Sequence, residues 1–199
     1  MQRKMFEARR DWVGGPDFYL YSWVANGCGK DRSRPEWQNK VWVLEEPRVM
    51  FATDGSQLHF VEFLEAEPEI PAGCWEVLKK NKAQVVLGEM GVEPLSFDGV
   101  FDVVKQVKIG VLRVDVKESL VQFELGPGEL LSPKGCVVLA KILRKAKFAF
   151  DLSKVARLVE GNWLFDAYVS PNGDMLIVRG FDSGLELTGV LMSTSQEIE

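Results

Sequence analysis

The chain has one histidine and three cysteines in 199 residues, and each shortage closes off a class of function. His59 lies inside an apolar run, where a packed structural histidine is the ordinary reading. A Ser-His-Asp triad would have to use it, and there is no GxSxG elbow. No Walker A loop is present, and no GxGxxG opens a helix. Metal-nuclease groupings of the DxD or ExxxD kind do not stand out, and Asp11/Asp17, Asp98/Asp102 and Asp166/Asp174 are only loosely spaced pairs. The chain reads as a non-enzyme, and no cofactor is implied.

Cys28, Cys74 and Cys136 are odd in number and far apart, with neither a CxxC nor a histidine cluster beside them. That argues against a metal site and a disulfide framework, and points to a reducing, cytoplasmic location. No apolar run approaches the roughly 20 residues of a membrane helix. The opening segment MQRKMFEARRDW lacks the apolar core of a signal peptide. A net charge of −5 gives no global attraction to nucleic acid or to an anionic membrane. Any DNA contact must come from a local basic patch.

What is present is ordinary globular material, 46% apolar and 27% charged, enough to bury a core as one large domain or two small ones. The stretch 41–63, VWVLEEPRVMFATDGSQLHFVEF, reads as two or three extended segments folded back on each other. Val41 and Val43, then Arg48, Met50 and Ala52, fall at every second position, the period of a strand with one buried face. Asp54-Gly55 is a two-residue turn signal, because glycine tolerates positive φ and aspartate bonds its own backbone.

Around this hairpin the chain reads as follows. Residues 1–13 suit an opening strand ended by Gly14-Gly15-Pro16. Residues 17–26, DFYLYSWVAN, suit a short helix capped by Asp17 and closed at Gly27; its aromatics suit a strand nearly as well. The polar loop 27–40 carries Lys30, Arg32, Arg34 and Lys40, either as phosphate contacts or as plain solvated charges. An acidic connector, EAEPEIPAG, precedes CWEVLKK, too short to assign, and AQVVL at 83–87, a buried strand. Residues 93–97 read as an extended crossover.

From Val100 the valine-rich run FDVVKQVKIGVLRVDV predicts strands, as does the alternating SLVQFEL. Residues 132–147, SPKGCVVLAKILRKAK, open with a Ser-Pro helix start and collect lysine and arginine late, where cations suit the helix C-terminus. FAFDLSKVARLVEG changes from strand to helix near Asp151, with Val155, Leu158 and Val159 as its apolar stripe. WLFDAYV and DMLIVRG flank a Pro-Asn-Gly turn as a second hairpin, and LELTGVLMS is the final strand.

Residues 148–193 resemble the closing module of a bacterial sliding-clamp domain: strand, short helix, then three antiparallel strands ending in a segment such as Leu191-Met192. Ala52-Thr53-Asp54-Gly55 with Gln57-Leu58 resembles the Ala-Thr-Asp-Gly-His-Arg-Leu hairpin of that clamp's middle domain. Pro94-Leu95-Ser96-Phe97-Asp98-Gly99-Val100 sits where the family has a crossover between modules. The pieces occur in the family's order and cover about two thirds of the chain. Ser56 and Gln57 depart from the family's His and Arg.

The resemblance is to the DNA sliding clamp family, in its bacterial polymerase III beta-subunit or phage-type form. It implies an α+β clamp-like fold of antiparallel sheets with a few short helices on one face, in two domains, 1–103 and 104–199. It implies a processivity factor: a homo-oligomeric ring that encircles double-stranded DNA without sequence preference and tethers a DNA polymerase or another clamp-binding peptide, in a bacterial cytosol or an infected host cell. Its DNA-facing candidates are Lys141, Arg144, Lys145, Lys147, Lys154 and Arg157, with Lys79, Lys80 and Lys82 second. The competing reading is a monomeric clamp-module interaction protein (a decoy, inhibitor or transcription accessory) that does not encircle DNA.

Overall fold

The computed structural model describes residues 3–29, 36–91, 96–113, 123–125, 149–160, 165–170 and 173–194. They form an α+β protein whose strand pairs are antiparallel. Two compact units are present, Met1–Pro94 with Phe181–Leu187, and Leu95–Gly180 with Thr188–Glu199.

In the first unit the strands are β1 (Met5–Arg9), β2 (Lys40–Leu44), β3 (Val49–Thr53), β4 (Gln57–Phe63), β5 (Gly73–Lys80) and β6 (Gln84–Met90). Their order across the sheet is β1-β6-β5-β2-β3-β4, with the start of the final strand beside β4. The hairpin expected over 41–63 is therefore the three-strand meander β2-β3-β4. One part of the expectation is corrected. These strands are buried on both faces, since Trp42 and Phe51 are as buried as Val41 and Ala52. Doubly buried strands carry continuous apolar runs, and polarity alternation is lost.

The short helix expected after Asp17 is there as α1 (Phe18–Ala25), with Asp17 at its N-cap. Asp17 Oδ1 accepts from the N–H of Tyr19 at 2.9 Å and of Leu20 at 3.4 Å, a cap worth about 1 kcal/mol. All of α1 but Tyr19 is buried. Tyr21 meets Phe6 of β1 with ring centroids 4.5 Å apart, and Trp23 meets His59 of β4 at 4.6 Å. Burial pushes the Tyr21 phenol well above its ordinary range, while its oxygen meets the backbone of Glu69 and Ile70. On β1, β6 and β5 the face toward α1 holds Ala8, Val85 and Leu87, all fully buried. The other face is wet and charged, with Arg3–Glu76 at 2.8 Å and Arg9–Glu7 at 2.7 Å.

In the second unit, the run FDVVKQVKIGVLRVDV is not a set of strands. It opens within α2 (Asp98–Arg113), a sixteen-residue helix. Valine enrichment favours strands only where the period is two. Here Val104 and Val107 are buried while Asp102, Lys105 and Gln106 are exposed, a helical spacing that overrides propensity. From SLVQFEL, Phe123–Leu125 forms β7, paired with β8 (Phe165–Val169). The helix expected near Asp151 is α3 (Leu152–Leu158), with Asp151 Oδ1 accepting from Ser153 N–H at 2.8 Å. Val155 and Leu158 are fully buried. Leu158 packs over Gly189 of the last strand, where an added Cβ would stand 2.7 Å from its Cδ1. β8, β9 (Met175–Asp182) and β10 (Leu185–Met192) follow in the order β7-β8-β9-β10, the second unit holding β9 up to Gly180 and β10 from Thr188. The helix expected over 132–147 lies outside the described residues, as do Pro171 and Asn172.

The tip of the β9-β10 hairpin belongs to the first unit, where the N–H of Leu64 donates to Gly184 O at 2.8 Å. Its two loop residues, Ser183 at φ 42° and Gly184 at φ 83°, are both left-handed, as in a type I′ turn. Serine is strained there, and a Cβ on Gly184 would stand 3.0 Å from Glu65 Cβ. Ser183→Asn is expected to stabilise the protein by about 0.5–1 kcal/mol, and Gly184→Ala to destabilise it by about 1 kcal/mol or more. Urea unfolding midpoints check both. A destabilising Ser183→Asn, or a neutral Gly184→Ala, would contradict this turn geometry.

Candidate functional site

The Ala52-Thr53-Asp54-Gly55 motif is a self-satisfied turn. Asp54 Oδ1 accepts from Ser56 N–H at 2.9 Å, Ser56 O–H at 2.8 Å and Gln57 N–H at 2.9 Å. Thr53 O–H donates to Gln57 O at 2.6 Å, and its oxygen accepts from Gly55 N–H at 3.0 Å. Asp54 is 5% exposed and Gln57 2%. An aspartate so occupied builds backbone and has little left to offer a ligand.

The loop that follows α1 closes over this turn. Gly27 lies against Ala52, where a Cβ would meet the carbonyl oxygen at 2.4 Å. Gln57 Nε2 donates to Asn26 O at 3.0 Å, and Lys80 Nζ donates to Asn26 Oδ1. Lys40, expected in a polar loop, is instead the first residue of β2. It is buried to 7% exposure and ion-paired with Glu76 at 3.7 Å. Cys28 sits within the electrostatic reach of Lys80, Lys40, Cys74 and Asp54. Burial pushes its thiol up to about 12, and the two lysines oppose the shift without overcoming it. Asn26, Cys28, Gln57 and Lys80 are thus one cluster, drawn from segments far apart in the chain. No sequence spacing announces it.

Among the DNA-facing candidates, Lys154 and Arg157 lie three residues apart on α3, both half-buried. The Lys154 charge helps to hold the Asp151 carboxyl below its usual range, behind the larger effect of the Ser153 hydrogen bonds. Lys141, Arg144, Lys145 and Lys147 lie outside the described residues, as do Lys30, Arg32 and Arg34. Of the second set, Lys79 donates to Gln84 Oε1 at 2.8 Å, Lys80 is turned toward Asn26, and Lys82 is exposed on the β5-β6 turn. α1 carries no lysine or arginine.

His59 is fully buried against Trp23, in keeping with a structural role. The loosely paired acids serve separate purposes. Asp166 accepts from the Tyr168 O–H at 3.3 Å and stands opposite Arg179, whereas Asp174 accepts from Ser170 O–H at 2.6 Å in the β8-β9 turn. Among the described residues, no group of three or more His, Cys, Asp or Glu side chains could hold a metal ion. No protein-family model matches the chain, and no curated protein matches it.

The buried thiol gives a pH dependence of definite sign. Its folded pKa lies above the unfolded value, so unfolding releases a proton once the pH passes that lower value, and stability falls from about pH 8.5 upward. The urea midpoint should drop between about pH 8 and about pH 9.5, and Cys28→Ala should flatten the drop. An equally steep decline in the variant would contradict the burial of Cys28.

Proposed function

We propose that the chain is a clamp-like processivity module of the DNA sliding clamp type, which assembles into a homo-oligomeric ring around duplex DNA. The supporting observation is a recurring local order. In each unit an aspartate-capped helix is followed by three strands that are neighbours in sequence and in the sheet: α1 then β2-β3-β4, and α3 then β8-β9-β10. Residues 148–193 resemble a clamp module by the order strand, short helix and three antiparallel strands; the helix and the three strands stand here without a strand at Ala149–Phe150, and helix and three strands also accompany the Ala-Thr-Asp-Gly hairpin.

On this reading β1 is an edge strand of the first unit's sheet, and an edge presents backbone groups that a neighbouring copy can pair. DNA would be held loosely. Lysine and arginine on ring-lining helices neutralise a few phosphates at no particular sequence, while topology prevents escape. α1, buried and without cations, is excluded from that lining. The charge would come from Lys154 and Arg157 of α3 with Lys141, Arg144, Lys145 and Lys147. A polymerase or another clamp-binding peptide would be the tethered partner, in a cytoplasmic setting.

The same exclusion of α1 favours the second reading, a monomeric clamp-module interaction protein that never encircles DNA. Retention on DNA separates the two. A ring loaded on nicked circular duplex should stay bound through a sizing column in moderate salt and be lost within minutes of linearisation. Lys154→Glu with Arg157→Glu should weaken loading several-fold. Equal loss from circular and linear DNA would overturn encirclement and leave the interaction module.

A further inference from the structure

A second set of cations gathers where β1 meets the β5-β6 hairpin, away from the helices. Arg10 N–H donates to Ala83 O at 2.9 Å, which ties the end of β1 to the turn that carries Lys82. Arg10, Lys79 and Lys82 are all exposed. Arg9 is ion-paired with Glu7, and Lys79 also acts on that carboxylate, so four cations, Arg9, Arg10, Lys79 and Lys82, stand against two acids, Glu7 and Asp11. In a chain of net charge −5 this is a local reversal of sign.

Beside these cations stands an aromatic ring that the core does not use. The N–H of Trp12 donates to Arg9 O at 3.2 Å, closing a turn that lifts the side chain out of the sheet. One face of the indole lies on Gly15, whose added Cβ would stand 2.5 Å from Cδ2 and 2.6 Å from Cγ. The side chain is nevertheless 52% exposed, and Val13 beside it is 97% exposed. Arg10 lies 5.8 Å from the Tyr19 ring centroid, which holds its guanidinium near the surface. An exposed indole supported on one face, with cations within a few residues, offers a flat stacking platform beside a phosphate track.

We infer that this corner of the first unit binds single-stranded nucleic acid, with phosphates on Arg10, Lys79 and Lys82 and an unstacked base on the free face of Trp12. Duplex DNA keeps its bases stacked and cannot use the indole. Base-on-aromatic stacking tolerates any sequence, so no sequence preference is expected. An anionic membrane would also attract cations and tryptophan, but an indole laid flat on the backbone suits a planar base better than a bilayer. The inference does not rest on the ring.

The test is fluorescence anisotropy of a labelled oligo-dT of about 20 nucleotides with the full chain, at several salt concentrations. Binding should weaken with salt at a log–log slope of about −2, from about −0.7 per phosphate and three cations. Trp12→Ala should weaken it about 5- to 100-fold, Trp12→Phe less, and Arg10→Glu with Lys82→Glu should abolish it. Arg48→Glu, on the β2-β3 turn at the other end of the sheet, should leave it unchanged, and melting curves establish that each variant is folded. Absence of binding at low salt, binding indifferent to Trp12→Ala, tighter binding to duplex of equal length, or binding to phosphatidylserine vesicles in place of oligo-dT would each overturn the inference. A monomer that binds oligo-dT keeps this site and loses the ring; a ring that ignores oligo-dT does the reverse.

Discussion

The seating of α1 on the first unit's sheet is the contact on which that unit depends. The helix has no wet face of its own, so it exists only because Trp23 closes on His59 and Tyr21 on Phe6. Truncating a buried ring of this size costs about 3–5 kcal/mol, a large part of the 5–15 kcal/mol that holds a typical domain together. The position of α1 then fixes the loop after it. Asn26 and Gly27 are pressed onto the Thr53–Gln57 turn, Lys80 is drawn in to Asn26, and the thiol of half-buried Cys28 is pushed further above its ordinary range by desolvation.

That closure decides where charge can act. Lys40 and Lys80 are committed inward, and α1 has no cation to offer. Long-range attraction to a polyanion must come from groups that remain in water, since exposed charges keep their counterion atmosphere and can exchange it for phosphates. In the first unit the described residues of this kind include Arg10, Lys79 and Lys82; in the second, Lys105 is exposed on α2 and α3 contributes two half-buried cations. On the proposed reading the acidic balance of the chain works as a filter, restricting contact with nucleic acid to such places.

Local chemistry made some elements legible. Asp17 and Asp151 announce helix starts because a short carboxylate can satisfy the first free N–H groups, and Asp54-Gly55 announces a turn for a comparable reason. The second hairpin was legible from its flanking runs. Other features needed tertiary information. Trp42 and Phe51 sit between the positions that carry the two-residue period, and only the structure reveals burial on both sides. FDVVKQVKIG misled because valine content suggested strands, although Val104 and Val107 with polar residues between them already carried a helical spacing. For the sites, Lys154 and Arg157 could be placed on a helix from sequence, but Lys40 could not be known as a buried ion-pair partner. Trp12 had a usable signal, an aromatic one residue short of Gly14-Gly15-Pro16, where no core strand can continue.

The proposal of a ring stands or falls on self-association, because one subunit of 22.4 kDa has no means of closing around a duplex. Light scattering behind a sizing column, over a wide range of concentrations, measures this most directly. The account predicts one discrete oligomer, a trimer or a dimer, whose mass holds as concentration falls. A strict monomer at high concentration would contradict it.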